Sequence, residues 1–536
     1  MLSNLLPSSI SVYLSVHLID IVSRYKIKFF YRYNSFLLKK NLLSDSIQNY
    51  CTFNQEYFGG SVSCKSKNII LMDVFTPPEW VIVNSFLCNN LATKYNAYIS
   101  SYDVAHRGNE SNCLYNSFGC NNHLIIKLDR PMSLERKRLF LSIINSVKTK
   151  HDLQNLIINK VWIGLDIYES ILRTGVPTVN VSSLVTHRQI YRALTYYLFF
   201  NKLFSKGRVK AVVLSHDNYI SMGLVARVAY RYNISCYFVN PFEMVKSTRT
   251  FQIFESYKKF PNYFDTLSDQ DKKSAILWSK AQLRERLSGT VGVNMSYQIK
   301  SAFVNDKIKR QTSNSDKIKI VIAMHCFFDN PNGIGWMLFP DFYDWLCFLG
   351  EVSNSTDYEW YIKTHADYLD GNLEILDEII LQFPKLKMID SKVSWHQLKD
   401  EGVEHVLTCY GTLGGELPLL GYKVINAAYN PHIAYKFNYH PRTIDEYREI
   451  LTNLSQLPDV KDINKIYEFY YVKHNIFHQE DLFFDSYNDY LENSNGDPMS
   501  HLGYDYFVSN SDSFARNADI KTKDFINSNQ VYSYET

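Results

Sequence analysis

The chain has 536 residues, of which 46% are hydrophobic and 21% charged, and its formal net charge is +3. This length exceeds what one hydrophobic core supports, so we expect two domains or more. So small a net charge on so long a chain argues against a dedicated nucleic-acid-binding protein.

The nine cysteines are odd in number and form no CxxC pair. Several of them, such as Cys88 and Cys347, lie inside apolar runs. We therefore expect reduced, buried thiols in a cytoplasmic protein, and no zinc site.

Residues 1–60 are expected to form a helical, basic segment. The apolar run 5–22 is interrupted by polar residues and fits neither a signal peptide nor a membrane-spanning helix. Residues 24–40 carry six basic side chains and no acidic one, interleaved with Phe, Tyr and Leu. This composition suits an anionic membrane surface. A helix packed on its own domain, with a solvated basic edge, is the alternative.

From Asn68 the sequence alternates strand-like and helix-like segments. Strands are predicted at residues 68–74, 97–104, 123–129, 210–219 and 235–240. The first intervening helix is opened by Pro77 and Pro78. This alternation predicts a parallel, doubly wound sheet, and we assign residues 61–300 to a first Rossmann-like domain.

Polar residues lie at the ends of two of these predicted strands. Doubly wound sheets bind ligands beyond the carboxyl ends of their strands, where Asp73 and the pair His216–Asp217 are expected. An imidazole beside a carboxylate titrates near neutrality and suits a general base. An aspartate at a strand end is also a common helix cap, and that interpretation stays open.

Residues 301–317 are polar and are predicted to link this domain to a second one at 318–455. The second domain starts with a buried strand that leads to His325 and Asp329. Further strands are predicted at 357–365, 385–390, 403–408 and 423–426, which gives a sheet of about five strands.

A Gly-rich turn follows the strand that ends at Thr408. Gly411, Gly414 and Gly415 allow close approach of the backbone to a ligand, and a helix beginning near Gly414 would aim free N–H groups there. Glu416 would lie in the first helical turn, where it could reach a sugar hydroxyl. An ordinary β–α–β connection is the alternative.

The order of residues in this stretch resembles the C-terminal motif of bacterial capsule and surface-polysaccharide glycosyltransferases of the two-domain GT-B type. The matching residues are Thr408, Gly411, Thr412, Gly414, Glu416, Gly421, Tyr435 and Pro441. Residues 161–173, 321–346 and 360–368 resemble further segments of that family. Ala366 stands where the family usually has proline, so the loop after His365 is expected to be less rigid.

The resemblance implies an α/β fold of two Rossmann-like domains facing a cleft. It also implies helices at 456–495 that cross back to the first domain. Residues 496–536 show no periodicity and many Ser, Asn and Asp residues, so we expect a loosely held tail.

The resemblance further implies a nucleotide-sugar donor and a growing glycan or lipid-linked glycan as acceptor. The donor-binding candidates are His325, Asp329, Lys363, His365, Thr408, Gly411, Thr412, Gly414, Gly415, Glu416 and Tyr435. Gly411–Gly415 would cradle the phosphates, with Lys363 or His365 as the cation and Glu416 on the ribose hydroxyls. A strand-end histidine bonded to backbone is the alternative for His365. The proposed catalytic base is one of Asp73, Asp166, His216 and Asp217.

No metal or other cofactor is expected. The only Asp-x-Asp sequence considered, Asp269-Gln270-Asp271, precedes a polar helix and is interpreted as its cap. A helix N-terminus with a nearby cation can stabilise a departing phosphate instead.

Three other functions remain open on the same fold: a nucleotide-sugar 2-epimerase, a polyol-phosphate transferase and a non-catalytic assembly partner. The glycerophosphate enzymes usually show an Asp-Tyr-Ser-Ser loop, which is replaced here by Cys409–Thr412. The expected location is cytoplasmic, peripheral on the inner face of the membrane if residues 24–40 bind it.

Overall fold

The computed structural model describes residues 43–59, 66–104, 106–128, 133–294, 300–304, 307–364, 371–459, 462–477, 482–484 and 486–533. It divides into two compact units. The first unit is built from the described parts of residues 1–171, 179–250 and 480–536, and the second from 172–178 and 251–479. The basic segment 24–40 lies outside the described residues.

Thirteen strands lie in the described residues, and they form two large sheets and one small pair. They are β1 Asn68–Met72, β2 Ala97–Asp103, β3 Asn122–Ile125, β4 Ile157–Ile158, β5 Val161–Trp162, β6 Val209–Leu214, β7 Ser235–Asn240, β8 Glu243–Ser247, β9 Lys319–Ala323, β10 Glu359–Lys363, β11 Leu386–Met388, β12 His405–Thr408 and β13 Lys423–Asn426.

The α-helices surround these sheets. They are α1 Asp45–Phe58, α2 Pro78–Tyr95, α3 Asn109–Ser117, α4 Leu134–Ser146, α5 Lys150–Gln154, α6 Gly164–Leu172, α7 Leu184–Phe204, α8 Leu224–Arg231, α9 Phe260–Asp265, α10 Asp269–Leu287, α11 Phe342–Ser355, α12 Asn372–Gln382, α13 Trp395–Asp400, α14 Ile444–Thr452, α15 Asn464–Tyr471, α16 Tyr487–Asn493, α17 Leu502–Ser509 and α18 Ser511–Asn527.

Short-range signals set several helix starts. Helix α2 begins at Pro78, where proline is tolerated because the first N–H groups of a helix make no intrahelical hydrogen bond. The helix ends before Asn96, which adopts the left-handed conformation. Helix α10 is capped by the Ser268 hydroxyl, which accepts from the Asp271 N–H. The Asp269–Asp271 sequence therefore lies in the first turn of this helix, and the cap is Ser268 instead of the aspartates that the sequence indicated.

The sheet of the first unit has the strand order β3-β2-β1-β6-β7-β8. Its strands are parallel except for β8, which runs antiparallel to β7. The predicted parallel sheet is confirmed, and the edge strand β8 is an addition that its short sequence did not reveal. Strand order reverses between β1 and β6, which pair directly with Met72 opposite Val213.

The sheet of the second unit has five parallel strands in the order β11-β10-β9-β12-β13, as predicted. Its central strands β9 and β12 are buried, and the order reverses between them. In doubly wound sheets, the ends of the two strands at such a reversal flank the ligand-binding crevice.

The second unit starts earlier in the chain than predicted. Residues 251–300 were assigned to the first domain, yet helices α9 and α10 pack against α15 within the second unit. Phe260, for example, lies with its ring centroid 4.3 Å from that of Phe477. The polar composition of residues 301–317 therefore marks a connection inside the second unit.

Residues 496–536 also differ from the loosely held tail that we predicted. Helices α17 and α18 belong to the first unit, where Phe507, Phe514 and Phe525 are buried in its core. Phe514, Ala518 and Phe525 lie on one face of α18 because of their helical spacing, while Ser, Asn and Asp residues fill its other faces. Because most residues of this segment are polar, its apolar helix face was not recognised from the sequence.

No helix in the described ranges combines the length and the apolarity that crossing a membrane would require.

Candidate functional site

The strand reversal of the second unit brings His325 and Thr408 together. The His325 Nε2 atom lies 3.2 Å from the Thr408 hydroxyl oxygen and accepts a hydrogen bond from the Cys409 N–H. The Gly411 N–H donates in turn to the Thr408 hydroxyl over 3.3 Å. Three residues that follow β9 and β12 are thus joined at the edge of the sheet where a ligand is expected.

The Gly-rich segment does not form the predicted α-helix. It forms two short 3₁₀ turns, Thr412–Gly415 and Leu417–Leu420, separated by Glu416. Pro418 has no N–H to continue a helical hydrogen-bond series, and the N–H groups of Gly414 and Glu416 bond within the segment. The expectation of a helix dipole aimed at a phosphate is therefore wrong.

Two of the three glycines are required by the chain itself. A Cβ atom on Gly414 would lie 2.3 Å from His432 Nε2, and one on Gly415 would lie 2.8 Å from a ring carbon of Phe469. The Asn438 amide also donates to the Gly414 carbonyl over 2.7 Å. Gly411, Thr412 and Leu413 remain partly exposed, so they are the accessible part of this loop.

Glu416 is buried, and its Oε1 lies 2.5 Å from Nε of Arg286 on α10. Its second oxygen, Oε2, has no hydrogen-bond partner in the part of the chain that the structure describes. Burial lowers the pKa of Lys473 to about 8, and the nearby Glu416 carboxylate offsets part of that shift. Glu416 is thus held between two cationic side chains, and its second oxygen is buried without a hydrogen-bond partner among the described residues.

A histidine pair behind the glycine loop was not singled out from the sequence. His432 and His440 approach with 3.4 Å between Nδ1 and Nε2, and the pKa of each is lowered, chiefly by burial. His432 Nε2 faces Gly414 and has no partner among the described residues. Both histidines follow the Gly-rich turn in the sequence and fold back onto it, which only the three-dimensional structure shows.

The remaining donor-binding candidates are dispersed. Lys363 is buried at the end of β10, and its Nζ donates to the Ser391 carbonyl over 2.5 Å instead of approaching the glycine loop. Burial lowers the pKa of Lys363 to about 8. Asp329 is exposed and accepts from the Asn330 N–H. His365 lies outside the described residues.

Tyr435 belongs to an aromatic cluster with Phe437 and Phe469. Burial raises the pKa of its phenol, and the neighbouring Glu468 raises it further. Packing is therefore sufficient to account for this tyrosine.

The strand reversal of the first unit joins Asp73 to Ser215. Both the N–H and the hydroxyl of Ser215, which follows β6, donate to Asp73 Oδ2, over 3.1 and 2.5 Å. Burial raises the pKa of Asp73 to about 6, although these hydrogen bonds oppose the shift. This unit therefore also has a polar contact between the two strands at which its order reverses.

Asp166 and Asp217 meet beside the same reversal. Asp166, on α6, is fully buried and lies 2.8 Å from Nε of Arg227 on α8. Burial raises the pKa of Asp166 and that of Asp217, to about 6 for Asp217, and Arg227 lowers both. The Arg227 guanidinium is also 4.7 Å from the centre of the Trp162 ring.

Backbone geometry fixes this carboxylate pair. Residues Tyr219–Gly223 form a π-helical turn, a form often found at functional sites, and Tyr219 has a positive φ of 63°. A Cβ atom on Gly223 would lie 2.2 Å from Asp166 Oδ1 and 2.6 Å from the Asp217 carbonyl oxygen. Only glycine permits this approach. His216 lies beside the pair, with its ring edge-on to Phe75 at 5.3 Å.

Within the described ranges, no three His, Cys, Asp or Glu side chains are grouped so that they could hold a metal ion.

Each unit is therefore a doubly wound α/β unit with polar residues at its strand reversal. No protein-family model and no curated protein matches the chain. Among solved structures, KpsC of Thermosulfurimonas dismutans, described as a beta Kdo 2,4 transferase, is 9% identical over 49% of this chain and 79% of its own, with a TM-score of 0.28.

Two further likenesses cover more of the chain. UDP-GlcNAc 2-epimerase from Neisseria meningitidis, bound to UDP-GlcNAc, is 10% identical over 83% of this chain and 99% of its own, with a TM-score of 0.22. MurG of Acinetobacter baumannii is 10% identical over 84% and 100%, with a TM-score of 0.18. At these TM-scores, the fold and the site rest on the geometry of this chain alone.

Proposed function

We propose that the protein is a glycosyltransferase that moves a sugar from a nucleotide-sugar donor to a growing surface glycan of the capsule or O-antigen type. The observation that carries this proposal is the set of hydrogen bonds joining His325, Thr408 and Gly411 at the strand reversal of the second unit. These are residues of the stretches that resemble such transferases, and they meet where a doubly wound sheet binds a nucleotide.

In this proposal, the partly exposed residues Gly411 and Thr412 hold the donor phosphates. Glu416 accepts from a ribose hydroxyl through Oε2, the oxygen left without a partner by Arg286. Lys473 and Arg286 supply positive charge near the departing phosphate, the role that the sequence assigned to Lys363 or His365. Transfer then needs no metal ion, because these fixed cations stabilise the charge that develops.

The acceptor hydroxyl must lose a proton as it attacks the sugar. We assign this proton to the carboxylate group of the first unit, with Asp217 as the base, since it is only partly buried while Asp166 is fully buried and paired. The raised pKa of Asp217, about 6, keeps it ionised at neutral pH yet basic enough to take a proton.

A nucleotide-sugar 2-epimerase is the second candidate. Three carboxylates with raised pKa values, Asp73, Asp166 and Asp217, lie at one strand reversal, and an epimerase needs carboxylates around the sugar carbons. The two functions differ in what they require, because only a transferase needs an acceptor to release the nucleotide.

The test is to incubate the purified chain with UDP-, GDP- and CMP-linked sugars, with and without surface-glycan acceptors, in EDTA. A transferase releases nucleotide and lengthens the glycan only when acceptor is present. An epimerase changes the donor sugar without acceptor, which product analysis by mass spectrometry and NMR would identify. Neither reaction, together with no binding of any nucleotide, would leave the non-catalytic assembly partner.

A further inference from the structure

Two loops of the second unit pair above the end of its strand β12. They follow β9 and β13, the strands on either side of β12. The Leu338 N–H donates to the Ala427 carbonyl over 2.9 Å, and the Tyr429 N–H donates to the Trp336 carbonyl over 2.8 Å. This pairing fixes Trp336 and Tyr429 side by side at the edge of the sheet where its ligand is expected.

The side chains of these loops form a stack of rings. The Trp336 and Tyr429 ring centroids are 4.8 Å apart at an interplanar angle of 28°, and Tyr429 stacks in turn on Tyr257 at 6.1 Å. Gly335 allows the close approach, since a Cβ atom there would lie 2.6 Å from the Tyr429 carbonyl oxygen. Trp336 lies between Tyr429 and Phe251, whose ring centroid is 6.0 Å away at an interplanar angle of 59°, and it is 48% exposed, so part of its indole is accessible to a ligand.

The stack is tied to the residues that precede the glycine loop. The Tyr410 hydroxyl donates to the Asn330 carbonyl over 2.8 Å, and the Asn430 amide donates to the Cys409 carbonyl over 3.4 Å. Lys258 adds positive charge, with its Nζ 5.7 Å from the centre of the Tyr429 ring. A flat apolar surface, a cation and a phosphate-sized loop are therefore held by one hydrogen-bonded framework.

We propose that the exposed part of the Trp336 indole stacks on the base of the donor nucleotide while its phosphates lie at Gly411 and Thr412. The inference rests on the proposed function and adds the place where the base binds. A planar ligand fits because it extends an existing stack of rings, and its phosphates are attracted by the nearby lysine. Stacking of this kind is sequence-tolerant, since every base has a flat π-face.

The experiment measures binding of CMP, UDP, GDP and CDP, and of inorganic phosphate and pyrophosphate, by isothermal titration calorimetry. Trp336→Ala should weaken binding of the nucleotides by about tenfold or more and leave phosphate and pyrophosphate unchanged. Trp336→Phe, which keeps a flat ring, should restore most of the affinity. Trp278→Phe is the matched control, because that indole packs on Tyr470 and Tyr471 instead.

Each contrary result has a distinct meaning. If the parent binds nucleotides and Trp336→Ala binds them equally well, the stacking site is wrong and the proposed function stands. If the parent binds none of the nucleotides, both are wrong. If Trp336→Ala instead loses affinity for an oligosaccharide of the surface glycan while nucleotide binding is unchanged, the indole is a glycan contact and the base site is overturned.

Discussion

The Asp166 carboxylate and the Arg227 guanidinium form an ion pair of 2.8 Å in which both side chains are almost wholly buried. Breaking such a pair by removing one partner is expensive, because the remaining charge stays buried without compensation. We expect Arg227→Met to lower the free energy of unfolding by about 3–5 kcal/mol at pH 8. Urea unfolding of the parent and the variant measures this.

The matched control for this prediction is the double variant Asp166→Asn, Arg227→Met, which removes both charges of the pair and should recover part of the loss. The cost of Arg227→Met should also shrink at pH 5, since the unpaired Asp166 then takes up a proton. A loss below about 1 kcal/mol at pH 8 would show that the pair contributes as little as an exposed one.

Gly223 allows the Asp166 side chain and the Asp217 backbone to approach each other. Gly223→Ala places a methyl group where 2.2 Å separates it from Asp166 Oδ1, and part of the obstruction is backbone that cannot rotate away. We expect a loss of stability of about 1–3 kcal/mol or more, measured by thermal unfolding. Gly108→Ala is the control, because nothing lies within 4 Å of the added atom and only a helix cap is weakened.

Glu79 gives the folded protein a dependence on pH that can be isolated. Its Oε2 accepts a hydrogen bond from the Tyr487 hydroxyl, and burial raises the pKa of the carboxyl to about 7. The folded state therefore holds this proton at pH values where the unfolded state has lost it. The stability that Glu79 contributes is present below about pH 4.5 and is lost as the pH rises to about 7.

Glu79→Gln keeps the shape and the hydrogen bond without the ionisation. The variant should match the parent near pH 4.5 and exceed its stability by up to about 3 kcal/mol at pH 8. The measurement is urea unfolding of both proteins at several pH values. The difference between their free energies of unfolding removes the contribution of histidines that titrate in the same range, because both proteins contain them. A difference that stays constant with pH would contradict the raised pKa.

The proposed base makes a kinetic prediction. Asp217→Asn should reduce turnover by about 10²–10⁴ with donor binding retained, and His216→Gln should have a smaller effect. In the parent, kcat/KM should fall below about pH 6, because Asp217 then holds a proton. Should Asp73→Asn abolish turnover while Asp217→Asn leaves it intact, the base is the carboxylate bonded to Ser215.

The basic segment 24–40 is a prediction from the sequence alone. A deletion of residues 1–42 removes this segment and keeps Ser44, whose side chain caps helix α1. We expect the deletion to abolish binding to anionic vesicles and the binding of the full chain to weaken with salt. Co-sedimentation that is equal for both proteins would contradict a membrane role for this segment.

Much of the fold could be predicted because its strands are short apolar runs bounded by turns. The sequence located β1, β9, β12 and β13, and candidate residues were placed at the ends of such strands. His325 and Thr408 lie 3.2 Å apart there, whereas Asp166 lies near Asp217 from helix α6, which strand ends alone do not predict. In a parallel sheet, the ends of adjacent strands are neighbours whatever the intervening sequence.

The buried ion pairs could not be predicted, because their partners are far apart in sequence. Arg286 lies in a polar helix that resembles any solvated helix, yet it is paired with Glu416 in the structure. His432 lies against Gly414 because the chain turns between them, and the sequence of that turn has no periodic pattern that would predict the contact. The sequence also predicted an α-helix near Gly414. The structure has two short 3₁₀ turns there, because Glu416 and Pro418 together interrupt the helix.

The way in which residues 480–536 complete the first unit has a consequence for biosynthesis. The core of that unit includes Phe484, Tyr504 and Phe525, and the edge strand β8 is covered by a bridge from Val245 to Tyr532. Ribosomes add about 5–20 residues per second, so roughly 3–11 s pass between the emergence of residue 480 and that of residue 536. Most of the first unit is synthesised before the second unit. The second unit is nevertheless complete first, because its last residue precedes residue 480. Until residues 480–536 have been synthesised, the outer edge of strand β8 is uncovered. We therefore expect the first unit to depend on chaperones during translation.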